Sequence, residues 1–174
     1  MEIKKIVTGT LDENCYVLIK NRTCLVIDPG ADYNNIKEQV GDNKVLGVLI
    51  THSHFDHIGA LRNFLTKRSI KIFKKSNLEE KEYQLGDFKF ECIYTPGHSK
   101  DSVTFYFKED NAMFVGDFVF KDSIGRCDLP GGSINEMEAS IKKLLEYTDN
   151  INLYSGHGDD TTLDIEKKYN PYLQ

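Results

Sequence analysis

The stretch Thr51-His52-Ser53-His54-Phe55-Asp56-His57 places three histidines and one aspartate within six consecutive residues. The chain of 174 residues contains only five histidines, so such clustering is improbable for an ordinary surface segment. The stretch directly follows Val45–Ile50, an apolar run of the kind that forms a buried strand. Loops at strand ends often carry functional side chains. The pattern therefore indicates a metal or catalytic site where this strand ends.

Further ligand-type side chains follow other predicted strands, each beside a glycine. His98 lies in Thr95-Pro96-Gly97-His98, His157 lies in Gly156-His157-Gly158, and Asp117 follows Gly116. Imidazole and carboxylate groups suit zinc, iron and manganese. A closed structural zinc site needs only four ligands, and this chain offers more. The count fits two ions bridged by one carboxylate, with seven candidate ligands: His52, His54, Asp56, His57, His98, Asp117 and His157.

The apolar periodicity predicts a layered domain that mixes strands and helices. Predicted strands are Ile3–Val7, Cys15–Ile19, Cys24–Ile27, Val45–Ile50, Ile70–Phe73, Phe88–Thr95, Val103–Phe107, Ala112–Val115 and Ile151–Tyr154. Predicted helices are Tyr33–Val40, Ile58–Leu65, a helix opened by the capping box Ser133-Ile134-Asn135-Glu136, and Thr161–Tyr169. We expect a long loop over Asp117–Gly132. Since we find neither a repeat nor a linker, we expect one α/β (α+β) domain over residues 1–174.

The composition limits the partners that this protein can have. The 22 basic and 27 acidic residues give a net charge of −5, which argues against nucleic acid as a partner. No run of 18 apolar residues predicts a membrane span, and the first residues do not resemble an export signal. We therefore expect a cytoplasmic monomer or homodimer with a small-molecule substrate. Its four cysteines are expected to be free thiols.

The motifs HSHFDH, TPGHS, Gly116-Asp117 and SGHG, in this order, resemble those of metallo-β-lactamase fold hydrolases over essentially the whole chain. The turn Asp28-Pro29-Gly30 after an apolar strand also matches. The loop at residues 125–132 and the stretch at residues 160–171 are most similar to short glyoxalase II-type proteins. The resemblance implies a four-layer αββα sandwich with the metal site at the edge of two mixed sheets.

The resemblance also implies how the seven ligands are divided. The first metal would be held by His52, His54 and His98. The second would be held by Asp56, His57 and His157, with Asp117 bridging the pair. The ions would be divalent, with zinc favoured over iron or manganese. Asp56 would have a second, catalytic role in orienting the attacking hydroxide, while Asp28 either steadies the histidine loop or simply forms a turn.

The activity implied by the resemblance is hydrolysis of thioesters or esters of the hydroxyacylglutathione type by a metal-bound hydroxide. A thiolate leaving group needs little protonation, because a free thiol has a pKa of about 8.5. Arg126 resembles a family residue that contacts the glutathione carboxylate; its alternative role is a loop-locking ion pair with Asp128. We expect no C-terminal helical extension, which completes the glutathione site in longer family members.

Three other functions are compatible with these motifs. A mononuclear iron oxygenase, similar to persulfide dioxygenases, would use His52, His98 and Asp117 alone. A nuclease or a non-enzymatic binding domain ranks lower, because the chain has neither a large insertion nor a missing ligand. Cys127 lies in the loop near the predicted metals, where it is either packing or a functional thiol.

Overall fold

The computed structural model describes residues 1–66, 69–148 and 150–174, and its strands form two main sheets. The first is a mixed sheet in the order β1-β2-β3-β4-β5, antiparallel from β1 to β3 and parallel from β3 to β5. Its strands are β1 (Glu2–Thr8), β2 (Glu13–Lys20), β3 (Thr23–Ile27), β4 (Lys44–Leu49) and β5 (Lys71–Phe73).

The second sheet has six strands in the order β13-β12-β9-β8-β7-β6. Only β9 and β12 pair in parallel, so this sheet is also mixed. Its strands are β6 (Glu82–Leu85), β7 (Phe88–Tyr94), β8 (Val103–Phe107), β9 (Ala112–Gly116), β12 (Asn152–Ser155) and β13 (Thr161–Thr162). A small separate hairpin consists of β10 (Val119–Phe120) and β11 (Ser123–Ile124).

Three apolar cores separate four layers. The helices are α1 (Tyr33–Val40), α2 (Phe55–Ile58), α3 (Leu61–Phe64), α4 (Ile134–Leu145) and α5 (Leu163–Tyr169). A core that includes Leu18 and Phe105 lies between the two sheets. A second joins the outer face of the first sheet to α1 and α3, and a third joins the second sheet to α4 and α5. The predicted αββα arrangement and α+β class are therefore confirmed.

The predicted helix Ile58–Leu65 is wrong as a single element. The structure has α2 and α3 instead, with Gly59 and Ala60 between them. The backbone N–H of Ala60 donates to the carbonyl of Pro29 at 2.9 Å, so a remote turn takes the hydrogen bond that would continue the helix. Apolar spacing within one segment cannot reveal such a competing acceptor.

Other element boundaries differ in smaller ways. The predicted loop Asp117–Gly132 contains the hairpin of β10 and β11, whose two-residue strands are too short to show alternation. Strand β6 was not predicted. The predicted helix Thr161–Tyr169 begins two residues later, at Leu163, because Thr162 is its N-cap and accepts from the N–H of Ile165. No helix in the described ranges is long and apolar enough to span a membrane.

The ends of strands from both sheets meet at one edge of the sandwich. Gly116, at the end of β9, has φ +55° and packs so closely on Thr51 that a Cβ would lie 2.4 Å from the Thr51 hydroxyl. The N–H of Gly156 donates to the carbonyl of Gly116 at 2.9 Å. Glycine at position 116 thus permits both the left-handed backbone and the close approach of the two sheets. This contact brings the histidine-bearing loops together.

Candidate metal centre

The first cluster at this edge is made of three histidines. The Nδ1 atom of His54 lies 3.0 Å from Nε2 of His52 and 2.9 Å from Nε2 of His98. His52 and His98 are buried and His54 is half-buried. Three ring nitrogens from two different loops therefore converge on one point, and they can hold a metal ion together.

The second cluster consists of Asp56, His57 and His157. Oδ2 of Asp56 lies 3.3 Å from Nε2 of His157 and 3.9 Å from Nε2 of His57. Asp117 lies between the two clusters: its carboxylate oxygens lie 3.3 Å from Nε2 of His57, 3.6 Å from Nε2 of His157 and 3.5 Å from Nε2 of His98. One carboxylate is thus within reach of both groups.

Three buried side-chain atoms lack a hydrogen-bond partner among the described residues: Oε1 of Glu13 and, at the centre itself, Nε2 of His57 and Oδ1 of Asp117. Buried polar atoms are almost always paired, since an unpaired one is costly. A divalent cation would satisfy the two atoms of His57 and Asp117, and imidazole with carboxylate is a suitable donor set for such an ion. The seven predicted side chains therefore come together in an arrangement that fits metal ions; their individual roles as ligands stay predictions.

The outward-facing ring nitrogens have oxygen partners that orient the rings. Each Nδ1 atom lies close to an oxygen atom of another residue, at 3.2 Å for His52, 2.9 Å for His57, 2.8 Å for His98 and 3.0 Å for His157. The partners are the Thr51 hydroxyl, the Asp28 carboxylate, the Arg126 carbonyl and the Leu11 carbonyl. With the proton on Nδ1, each ring presents the lone pair of Nε2 to the centre, as metal-binding histidines do. His54 differs, because its Nδ1 faces inward.

Asp28 steadies the histidine loop, which favours one of its two predicted roles. It is buried and accepts from the N–H of Thr51 at 2.7 Å, from the Thr51 hydroxyl, and from Nδ1 of His57 at 2.9 Å. It also adopts a left-handed turn conformation, with φ 46°. Its oxygens lie close enough to His52 and His57 to form a third candidate ligand group. Because its oxygens already accept three hydrogen bonds, we interpret it as a support for the ligands.

Glu13 is a buried acid beneath the centre that sequence reasoning missed. Its side chain is 1% exposed, its Oε2 accepts from the Thr8 hydroxyl at 2.8 Å, and its Oε1 lies 3.7 Å from Nδ1 of His57. Burial and repulsion from Asp28 raise the pKa of Glu13 to about 9, so the group is protonated at neutral pH. In the sequence, Glu13 is recognisable only as an acidic residue at the start of an apolar strand, which does not indicate a functional role.

Burial and charge decide the protonation of the central histidines. Burial and the nearby His57 lower the pKa of His52 to about 2, and burial with His98 lowers that of His54. Both rings are therefore neutral, the form that binds metal. Burial opposes protonation of His57, but the nearby carboxylates of Asp117 and Asp28 outweigh it and raise the pKa of His57. A bound cation would compete with that proton, since ligand nitrogens bind metal deprotonated.

The loop after β11 contains the predicted substrate-binding residue. The Arg126 guanidinium makes two hydrogen bonds of 2.7 Å to Asp128, which is the predicted loop-locking pair, and its side chain is 62% exposed. Contact between Arg126 and a substrate stays a prediction. Cys127 is half-buried, and burial raises the pKa of its thiol, which favours packing over a reactive thiolate. The other three cysteines are buried and also free.

Comparison of this chain with known proteins identifies its family. The Metallo-beta-lactamase superfamily model matches residues 8–81 and 74–157. The chain belongs to the metallo-beta-lactamase superfamily. A probable metallo-hydrolase of Bacillus subtilis, YqgX, is 31% identical, and the match covers 99% of this chain and 98% of that protein. The hydroxyacylglutathione hydrolase GloC of Haemophilus influenzae is 27% identical, with 99% and 98% covered.

Solved structures agree with this assignment. The BLEG-1 B3 metallo-beta-lactamase superposes with a TM-score of 0.89 at 32% identity, covering 99% of this chain and all of that one. TTHA1623, in a di-iron-bound form, gives 0.87 at 29% identity, covering 97% and 99%. ETHE1 from Myxococcus xanthus gives 0.89 at 23% identity, covering 98% and 84%, and this likeness shows the fold alone.

Proposed function

We propose that this metallo-hydrolase uses two divalent metal ions to cleave thioesters or esters of the hydroxyacylglutathione type. Zinc is the metal that we favour. The observation that carries the proposal is the position of Asp117, within 3.6 Å of side chains from both ligand clusters. A carboxylate at this position suits a bridged pair of cations. The similarity to GloC supports the substrate class.

Two ions in these clusters would lower the pKa of a bound water and polarise an acyl carbonyl. The chain supplies the surroundings for that chemistry. The Asp117 carboxylate, 11% exposed, would balance cationic charge at the centre, while Asp56, 15% exposed, would orient the attacking water. His157 is 27% exposed and therefore lies nearest to solvent on the second cluster, where a substrate would enter.

The nature of the leaving group favours thioesters over amides. A thiolate leaves without prior protonation, because a free thiol has a pKa of about 8.5. An amine must be protonated as it leaves, which requires a general acid. The seven converging side chains are proposed metal ligands, so they are not available as that acid. Asp56 has the further proposed role of orienting the attacking water, which also excludes it as the acid.

The relative GloC and the exposed Arg126 support a glutathione-type substrate. GloC aligns with this chain over 98% of its own length, so the activity in that protein's name does not depend on a long extension beyond the match. An anionic substrate would reach Arg126 by displacing Asp128. Such displacement is feasible, because exposed ion pairs contribute little stability.

The oxygenase alternative would use one iron with His52, His98 and Asp117. The complete second cluster of Asp56, His57 and His157 favours two ions instead. Iron itself is a realistic metal here, since TTHA1623 is described in a di-iron-bound form. The absence of a nucleic-acid partner, a cytoplasmic location, a monomeric or homodimeric state and a single domain over residues 1–174 remain predictions.

The test combines metal analysis with a substrate panel. Protein purified without chelators is analysed for zinc, iron and manganese, then assayed with S-D-lactoylglutathione, a neutral thioester and an amide analogue. We expect two ions per chain and hydrolysis of thioesters but not of the amide. One iron per chain, with oxygen uptake on a persulfide substrate and no thioesterase activity, would replace the hydrolase by the oxygenase.

A further inference from the structure

Strand β2 opens with buried polar residues that the proposed hydrolysis does not use. Asn14 is 1% exposed and Tyr16 is 2% exposed, although both carry hydrogen-bonding groups. Their strand belongs to the first sheet, whereas His157 follows β12 in the second sheet. An isolated antiparallel bridge joins Glu13 to His157 across this boundary. The two sheets are therefore connected directly at the second ligand cluster.

Asn14 binds the backbone on both sides of His157. Its N–H donates to the carbonyl of Gly156 at 2.7 Å. Its side-chain Nδ2 donates to the carbonyl of Ser155 at 3.0 Å and to that of Gly158 at 2.9 Å. One residue thus satisfies three carbonyl groups within four consecutive residues.

Two further contacts from the same region support this segment. The Tyr16 hydroxyl donates to the carbonyl of Ser155 at 2.7 Å, next to the Asn14 bond. The carbonyl of Leu11, in the turn before β2, lies 3.0 Å from Nδ1 of His157. The first sheet therefore holds both the backbone of this segment and the ring of its histidine.

The segment needs such support because of its composition. His157 lies between two glycines, and Gly158 has φ +73°. Glycine loses more conformational freedom on folding than any other residue, so a Gly-His-Gly segment has no fixed shape of its own. The His157 ring is 27% exposed, so packing alone does not fix its position.

We propose that Asn14 is a positioning residue that holds His157 at the second cation site, with Tyr16 in a supporting role. The inference rests on the proposed two-ion centre. The first cluster, of His52, His54 and His98, has no contact with Asn14 or Tyr16 in the described hydrogen bonds. Loss of Asn14 should therefore weaken one ion selectively, whereas a merely structural role would not distinguish the two sites.

The experiment is a Zn²⁺ titration of the metal-free full chain against a competing chelator dye. For Asn14→Ala we expect the second ion to bind about 10- to 100-fold more weakly, as is usual when a supporting residue of a metal ligand is lost. The first ion should bind within about twofold of wild type. Tyr16→Phe removes the hydrogen bonds of the hydroxyl to the Ser155 carbonyl and to Oδ1 of Asp160 and keeps the ring, so a smaller loss at the second ion alone is expected.

Asn43→Ala is the matched control. Asn43 is a half-buried asparagine whose Nδ2 donates to the carbonyl of Val40 at 2.8 Å, at the end of α1, and no described hydrogen bond joins it to the segment 155–158. Its loss should lower the melting temperature of the metal-free chain and leave both zinc affinities unchanged.

The outcomes separate the proposals. If Asn14→Ala weakens both ions equally, or neither, the positioning role is overturned. If this variant does not fold, Tyr16→Phe decides: a selective loss supports the role, and an equal or absent loss overturns it. A wild-type chain that binds fewer than two ions overturns the two-ion centre and the role of Asn14 with it. A chain that binds two ions but hydrolyses no thioester overturns only the proposed substrate.

Discussion

Replacing Asp28 by asparagine tests how strongly the centre depends on its supporting residues. The carboxylate of Asp28 accepts from the N–H and hydroxyl of Thr51 and from Nδ1 of His57. Asparagine has the same shape and tolerates the observed φ of 46°, so the turn itself should persist. What changes is the hydrogen-bonding capacity, because an amide has one oxygen and one NH₂ group.

The magnitude follows from the geometry of these bonds. If the amide oxygen stays on the N–H of Thr51, the NH₂ group faces Nδ1 of His57. His57 must then move its proton to Nε2, the atom that lies 3.3 Å from Asp117. Loss of the supporting partner should weaken the second ion by about 10- to 100-fold, or about 1.4–2.8 kcal/mol. The lost hydrogen bonds should also lower the free energy of unfolding by about 1–3 kcal/mol.

The assay compares zinc titrations and denaturant unfolding of the wild type, Asp28→Asn and a control, Asp32→Asn. Asp32 also has a left-handed backbone, with φ 47°, and its carboxylate accepts from the N–H of Gly9 with no histidine contact. The control should therefore retain both zinc affinities. The reasoning is refuted if Asp28→Asn binds two ions as tightly as wild type, or if both variants lose affinity equally.

Three further substitutions test other parts of the site. Asp117→Ala should abolish most hydrolysis and reduce the metal content from two ions to one, as measured by elemental analysis; full activity with two ions would count against the bridging role. Arg126→Ala should raise KM for a carboxylate-bearing thioester with little change in kcat. If Arg126 only locks the loop against Asp128, the melting temperature should fall and a neutral thioester should be affected equally. Gly156→Ala would place a Cβ 2.2 Å from Oδ1 of Asp117 and 2.6 Å from Cε1 of His57, so we expect about 1–3 kcal/mol lower stability and weaker metal binding. Unchanged unfolding and metal content in that variant would refute the close packing.

The sequence determined the chemistry of the candidate site and the general arrangement of its elements. The HSHFDH stretch, His98, Asp117 and His157 could be selected because ligand-type residues beside glycines at strand ends form a local pattern. Most strands were predicted for a similar reason: apolar runs reflect burial on both faces of sheets inside a layered domain. Such signals depend on residues near one another in the chain.

Elements that depend on remote partners could not be predicted in this way. The break between α2 and α3 arises because Ala60 donates to Pro29, 31 positions earlier. Glu13 reads as an ordinary polar residue until the fold buries it 3.7 Å from His57. In both cases the deciding contact is made by a segment that is distant in sequence.

Only the tertiary structure decided how the histidines are held. His98 and His157 are oriented by the carbonyls of Arg126 and Leu11, and Asn14 binds carbonyls around His157. Every residue has a backbone carbonyl, so the identity of the residue carries no signal for this role. The folded chain selects which carbonyls meet the rings, and with them which ring nitrogens face the centre.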